Sequence, residues 1–133
     1  MADFPKTKRL RCKREFQQTF DGRKAVSRDF VVYCQPRADS DNGDRHPSRV
    51  GIIVSKRVHR HANKRNFIKR KIREACREVV LPEVEQQTTA GADLIVIARA
   101  SVWNSDLTEF DRALNRLTRK ALGSREQTGA KRA

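Results

Sequence analysis

The chain has 133 residues, with 30 Lys or Arg against 16 Asp or Glu and a formal net charge of +14. That length suits one domain with its own core, and the charge points to a polyanionic partner, nucleic acid ahead of an anionic membrane surface. No apolar run is long enough to span a bilayer, and the basic N-terminus lacks the apolar stretch of a signal peptide, so the expected location is cytoplasmic.

In chain order, residues 1–8 read as a basic arm, residues 9–122 as a single RNA-binding domain and residues 123–133 as a polar tail. A short helix is expected from about Lys13 to Asp21, with Gly22 as a left-handed cap. Phe16 and Phe20 stand at i,i+4 on one face of it, close to Arg9, Arg11, Lys13 and Arg14. Aromatics beside cations can form a platform for unpaired bases, although spacing alone favours core positions for both rings. Arg23 to Ser27 reads as a short strand. Phe30 to Cys34 is a clearer one, with Phe30, Val32 and Cys34 on one side and Val31 and Tyr33 on the other.

Gln35 to Arg49 is rich in Asp, Asn, Ser, Gly and Pro, a long connection. Its Asp39, Asp41 and Asp44 do not match a calcium loop, because the glycine comes one place early and Val50 stands where the closing Glu belongs. Val50 to Val54 is a strand in which Gly51 signals close approach of a neighbour. A turn through Val58 to Asn63 leads into a helix running to about Val80 and ended by Pro82.

That helix and the turn before it are the most informative stretch. Nine of the eighteen residues from Lys56 to Arg73 are Lys or Arg, and the next acidic residue is Glu74. At 3.6 residues per turn, Ile68, Ile72, Ala75, Cys76 and Val79 form an apolar stripe. Asn66, Lys69, Arg70, Arg73 and Arg77 gather on another face, within an arc of roughly 100°. Phe67, Lys71, Glu74 and Glu78 take the third. An Arg70–Glu74 pair would add only about 0.2–0.5 kcal/mol. The cationic arc therefore stays largely uncompensated and matches a ladder of phosphates, Arg as a planar fork and Lys as a compact charge.

Glu83 to Gly91 reads as a loop, and Leu94 to Ala98 as a central strand with Arg99 at its end. Ser105 or Asn104 can cap a final helix to about Leu122, with Leu107, Phe110, Leu114, Leu117 and Ala121 buried and its charges ordered to suit the helix dipole. One sheet flanked by helices is the simplest architecture, a two-layer sandwich. Cys12, Cys34 and Cys76 form no C-x-x-C, and His46, His59 and His61 form no metal pattern. No cluster of carboxylates or histidines for hydrolysis is present, so no catalytic residue and no metal ligand is assigned.

The run RVGIIVSKRVHRHANKRNFIKRKIREACRE closely resembles the signature of the protein subunit of bacterial ribonuclease P. RLRCKREFQQTF before it and DLIVIAR after it agree, and the likeness spans roughly Arg9 to Leu122. The resemblance implies an α+β two-layer sandwich ordered α-β-β-β-α-β-α, with one mixed sheet and a left-handed β-α-β crossover, as in the second domain of a small-subunit ribosomal protein. Such crossovers are otherwise right-handed. It implies a non-catalytic subunit of a ribonucleoprotein that removes the 5′ leader of precursor tRNA. The catalytic RNA subunit and the leader would be its partners, and Mg²⁺ would be held mainly by the RNA. On this likeness Lys64, Arg65, Asn66, Lys69, Arg70, Arg73 and Arg77 face the RNA subunit, whereas Phe16, Phe20, Tyr33, Lys56 and Arg99 line a leader cleft, reversing the core assignment of the two Phe rings. Phe67 stands where the family has a second Arg, and His59 where a Gly is usual. Another RNA-binding protein of ribosomal type and a self-sufficient nuclease are the competing readings.

Overall fold

The computed structural model describes residues 9, 10, 13–36, 48–87, 91–104 and 107–122. The basic arm, Asp39, Asp41, Asp44, Ser105 and the polar tail lie outside them. The elements are α1 (Lys13–Phe20), β1 (Arg23–Val26), β2 (Phe30–Pro36), β3 (Arg49–Ile53), α2 (Ala62–Ala75), a π-helical turn (Cys76–Val80), α3 (Leu81–Gln87), β4 (Ala92–Ala98) and α4 (Phe110–Leu122). Short 3₁₀ segments at Ala100–Asn104 and Leu107–Glu109 join β4 to α4.

The strands form one mixed four-stranded sheet in the order β1-β2-β4-β3, so the chain is an α+β sandwich as expected. β1 and β2 make an antiparallel hairpin, β2 pairs antiparallel with β4, and β3 runs parallel to β4. Parallel neighbours require a crossover, and α2, the π turn and α3 supply it. Alternation then divides the sheet. Phe30, Val32 and Cys34 of β2 meet Ala98, Val96 and Leu94 of β4 on the face that joins the main core. Ile68 and Ile72 of α2, and Phe110, Leu114 and Leu117 of α4, close that core from the helix layer. The Phe30 and Phe110 rings meet edge to face, 5.0 Å apart.

The opposite face carries Tyr33, Ile95 and Gly51 in one cross-strand row and Val31, Ile97 and Ile53 in the next. Helix α1 lies over the first row. Thr19, fully buried, turns its hydroxyl back to the Glu15 carbonyl at 2.8 Å, an internal bond that lets a polar residue sit inside.

Four local expectations are corrected. Pro82 does not stop the helix: it is the second residue of α3, and part of the supposed loop from Glu83 to Gly91 is helical through Gln87. The widened turn explains this, because the Leu81 N–H bonds the Cys76 carbonyl five residues back, changing the register in which proline would otherwise clash. The same turn shifts the buried stripe, so that Val80 rather than Val79 is fully enclosed. Gly22 is not a left-handed cap. Gly91, at φ 88°, is the one described glycine with positive φ, whereas a Cβ on Gly22 would collide with the Cys34 carbonyl. Finally, α4 begins at Phe110, preceded by a 3₁₀ turn, and not at Asn104 or Ser105.

Candidate nucleic-acid interface

Two surfaces bring the sequence candidates together. The first is the open sheet face beside α1. Gly51 allows α1 to sit there: a Cβ on it would lie 2.5 Å from Phe16 Cζ and 3.3 Å from Leu10 Cδ1. The expected close approach at Gly51 is thus made by an aromatic ring. Phe20, one turn on, packs edge to face on Tyr33 with centroids 4.8 Å apart and stays 38% exposed. Lys24, opposite Tyr33 in the hairpin register, places its ammonium 5.8 Å from the same ring. Phe16, Phe20 and Tyr33 therefore form a partly exposed aromatic wall, neither wholly core nor free platform.

Beyond that wall the second row, Val26, Val31, Ile97 and Ile53, forms an apolar floor, with Val26 46% exposed. Lys56 follows β3 and Arg99 follows β4, so both stand at the same end of this floor. Both are exposed. Arg99 has a second task, since its Nη1 donates to the Ser27 carbonyl at 3.2 Å and its backbone N–H to Asp29 O at 2.8 Å. It fastens the β1–β2 turn to the end of β4.

Sequence inspection missed the charge network that fixes α1. Arg49 Nε and Nη2 donate to both carboxylate oxygens of Asp93 at 3.0 and 2.8 Å, and Nη1 donates to Glu15 Oε2 at 2.8 Å. These bonds hold the Arg49 guanidinium above its ordinary pKa, the Asp93 hydrogen bond contributing most. The three partners lie 34 and 44 residues apart, and no local pattern links them. Lys24 could have been found only from the hairpin register.

The second surface is α2. Lys64, Asn66 and Arg70 are exposed, and Lys69 and Arg73 half-buried. Among the described residues Lys64, Lys69, Arg70 and Arg73 form no ion pair. The Arg70–Glu74 pair does not form, and Glu74 instead faces Lys71 at 3.9 Å. Arg65 behaves differently from the rest. Its Nη1 donates to the carbonyls of His59 and Arg60, both at 2.9 Å, so it closes the turn that leads into the helix. Arg77 lies past the end of α2, in the π turn, and pairs with Glu78 at 3.2 Å. Phe67 is half-buried against the core edge beneath the Lys71 ammonium, off the cationic arc.

A small cleft joins the two surfaces at the β3 edge. Arg9, Leu10, Phe16 and Gly51 line one side, and Lys69 and Arg73 of α2 the other. One continuous tract thus runs from the aromatic wall to the cationic helix. Cys34 and Cys76 are buried free thiols pushed up to about 12 by burial, which fits core residues and not nucleophiles. Among the described residues, no three His, Cys, Asp or Glu side chains converge as metal ligands, and no helix is long and apolar enough to cross a membrane.

Comparison with known proteins gives one answer. The family model described as Ribonuclease P matches residues 4–122. The Ribonuclease P protein component of Pseudomonas aeruginosa strain PAO1 is 32% identical over 126 residues, covering 95% of this chain and 86% of the relative. That of Levilactobacillus brevis is 34% identical over 110 residues, covering 82% and 84%. Among solved structures, the RNase P protein of Staphylococcus aureus superposes with a TM-score of 0.65 at 29% identity, over 88% of this chain and 99% of that one. The Thermotoga maritima protein does so at 0.60 and 30%, over 84% and 96%.

Proposed function

The chain belongs to the ribonuclease P protein family, and from that premise we propose how it serves tRNA 5′ processing with its RNA subunit. Helix α2 binds the RNA subunit through Lys64, Asn66, Lys69, Arg70 and Arg73, whose cations have no acidic partner to displace among the described residues. Arg65 shapes the approach turn and lends one edge of its guanidinium. Arg77 contributes long-range charge only.

The 5′ leader of precursor tRNA lies along the open sheet face. Phe20 and Tyr33 offer ring surface to unpaired bases, Phe16 supports that wall, and Lys24, Lys56 and Arg99 draw the backbone. Stacking is tolerant of sequence and is worth about 1–3 kcal/mol per base, which suits leaders of varied composition. The RNA subunit carries the chemistry. Mg²⁺, held mainly by that RNA, would supply activation of the attacking water and stabilisation of the leaving oxygen. Among the described residues no three His, Cys, Asp or Glu side chains converge as a ligand set.

The observation that supports this reading most directly is the continuity of the aromatic wall, across the β3 edge, with Lys69 and Arg73 of α2, which form no ion pair among the described residues. Cleavage of a precursor tRNA by the RNA subunit at low Mg²⁺, with and without the purified protein, tests it. Stimulation that depends on the 5′ leader is expected. Absence of stimulation would overturn the reading in favour of a ribosomal-type RNA binder, and cleavage by the protein free of RNA would overturn the assignment of chemistry to the RNA.

A further inference from the structure

A row of three rings at the head of α2 is used by neither surface described above. Trp103, in the 3₁₀ segment after β4, packs against the main core. Its indole Nε1 is enclosed and has no acceptor among the described residues. His59 leans on it edge to face, 5.1 Å between centroids, and His61 continues the row at 5.3 Å and 39°. The His61 N–H donates to His59 Nδ1 at 3.1 Å, which fixes the pair together with the Arg65 bonds to the same turn. The row therefore runs from a ring anchored in the core to one that is exposed and faces solvent.

Its surroundings are one-sided in charge. Arg57, Arg60 and Lys64 are exposed, and no residue from Arg45 to Arg73 is acidic. The first turn of α2 holds no acid and His61 gives it no side-chain cap, so the positive end of the helix adds to the patch. Desolvation first, and then the neighbouring His61, Lys64, Arg60 and Arg65, hold His59 below its ordinary pKa. His61 is exposed and outside the core, and a bare ring amid cations that form no ion pair among the described residues matches a flat, anionic ligand.

We propose that the Trp103–His59–His61 row is a stacking site for one unpaired nucleotide of the RNA subunit, its base on His61 and its phosphate among Arg57, Arg60 and Lys64. The site rests on the RNA-binding reading above. It adds to that reading a base contact beside the cationic contacts of α2.

Trp103 is the one tryptophan of the chain, and its emission reports on the row. Full-length protein is titrated with the RNA subunit as wild type, His61→Ala, His61→Phe and His61→Lys. RNA is expected to change Trp103 emission in the wild type and in His61→Phe. His61→Ala and His61→Lys should lose that change and bind about tenfold more weakly, within the range set by stacking one base. Full affinity in His61→Lys with loss in His61→Phe would overturn the proposal in favour of charge. Unchanged emission while RNA binds would overturn it outright. A short single-stranded leader oligonucleotide replaces the RNA subunit in a parallel arm, and an emission change there at equal occupancy would reassign the site to the leader. The precursor-tRNA assay separates the two readings. Stimulation by the wild type with normal binding of His61→Ala sinks only this inference, whereas no RNA binding and no stimulation by the wild type sinks both.

Discussion

Arg49 holds Asp93 with two parallel hydrogen bonds, from Nε at 3.0 Å and Nη2 at 2.8 Å, between adjacent parallel strands. The remaining nitrogen reaches Glu15 on α1, so one side chain ties the aromatic wall to the sheet. Asp93 is only 6% exposed. Arg49→Leu would take two charge-assisted hydrogen bonds from that nearly buried carboxylate and one from Glu15, at a cost of about 3 kcal/mol. Arg49→Lys cannot reproduce the fork and should recover only part of the loss. Urea denaturation of both variants checks this, and a loss below about 0.5 kcal/mol, the range of ordinary surface substitutions, would mean the network is incidental.

Gly51→Ala tests the seat of Phe16. The new methyl would lie 2.5 Å from the ring, and relieving it means lifting α1 or turning the ring, at about 1–3 kcal/mol. Affinity for leader-bearing substrate should fall while affinity for the RNA subunit holds, as measured by parallel binding assays. Equal losses in both would show that the whole domain, not the wall, was disturbed.

Phe20 is the cleaner probe of the leader cleft because it is the more exposed ring. Phe20→Ala should weaken binding of precursor tRNA by about tenfold, from the loss of one stacked base, and leave mature tRNA unaffected. Thermal denaturation should show little change. A matching loss for mature tRNA would place Phe20 in the fold.

Arg70→Ala and Arg65→Ala should separate. Arg70 is exposed and without an ion pair among the described residues, so its removal should lower the slope of log affinity against log salt by about 0.7–0.9 for one phosphate contact, with stability unchanged. Arg65→Ala also opens the turn at His59 and Arg60, and should destabilise the protein by about 1 kcal/mol or more. An unchanged salt slope in Arg70→Ala would remove that residue from the interface.

The two buried thiols give a check on the core. Cys34 and Cys76, each raised to about 12 by burial, remain protonated at pH 8. Iodoacetamide should therefore alkylate neither in the native protein and both in urea, as mapped by mass spectrometry. Native-state labelling at the rate of a free thiol would contradict their burial.

Local chemistry wrote most of the elements into the chain. Alternation marked Phe30, Val32 and Cys34 as one face of a strand, and helical spacing put Ile68 and Ile72 in the core and Lys69, Arg70 and Arg73 outside. Such patterns are legible because a strand or helix repeats over neighbouring residues. The π turn escaped them, since Pro82 signals a stop unless the preceding hydrogen bonds change register. Phe16 and Phe20 were ambiguous for a related reason: identical spacing serves a core or a wall, and only the sheet beneath decides.

Tertiary structure alone decided which distant groups meet. Arg49 finds Glu15 and Asp93 across 34 and 44 residues, and Trp103 finds His59 once β3 and β4 lie parallel with α2 crossing between them. Hydrogen bonds and ring contacts act over a few ångströms in space, whereas sequence records only separation along the chain. The charge, the strands and the cationic helix belong to the sequence; the cleft, its tether and the ring row belong to the fold that closes around them.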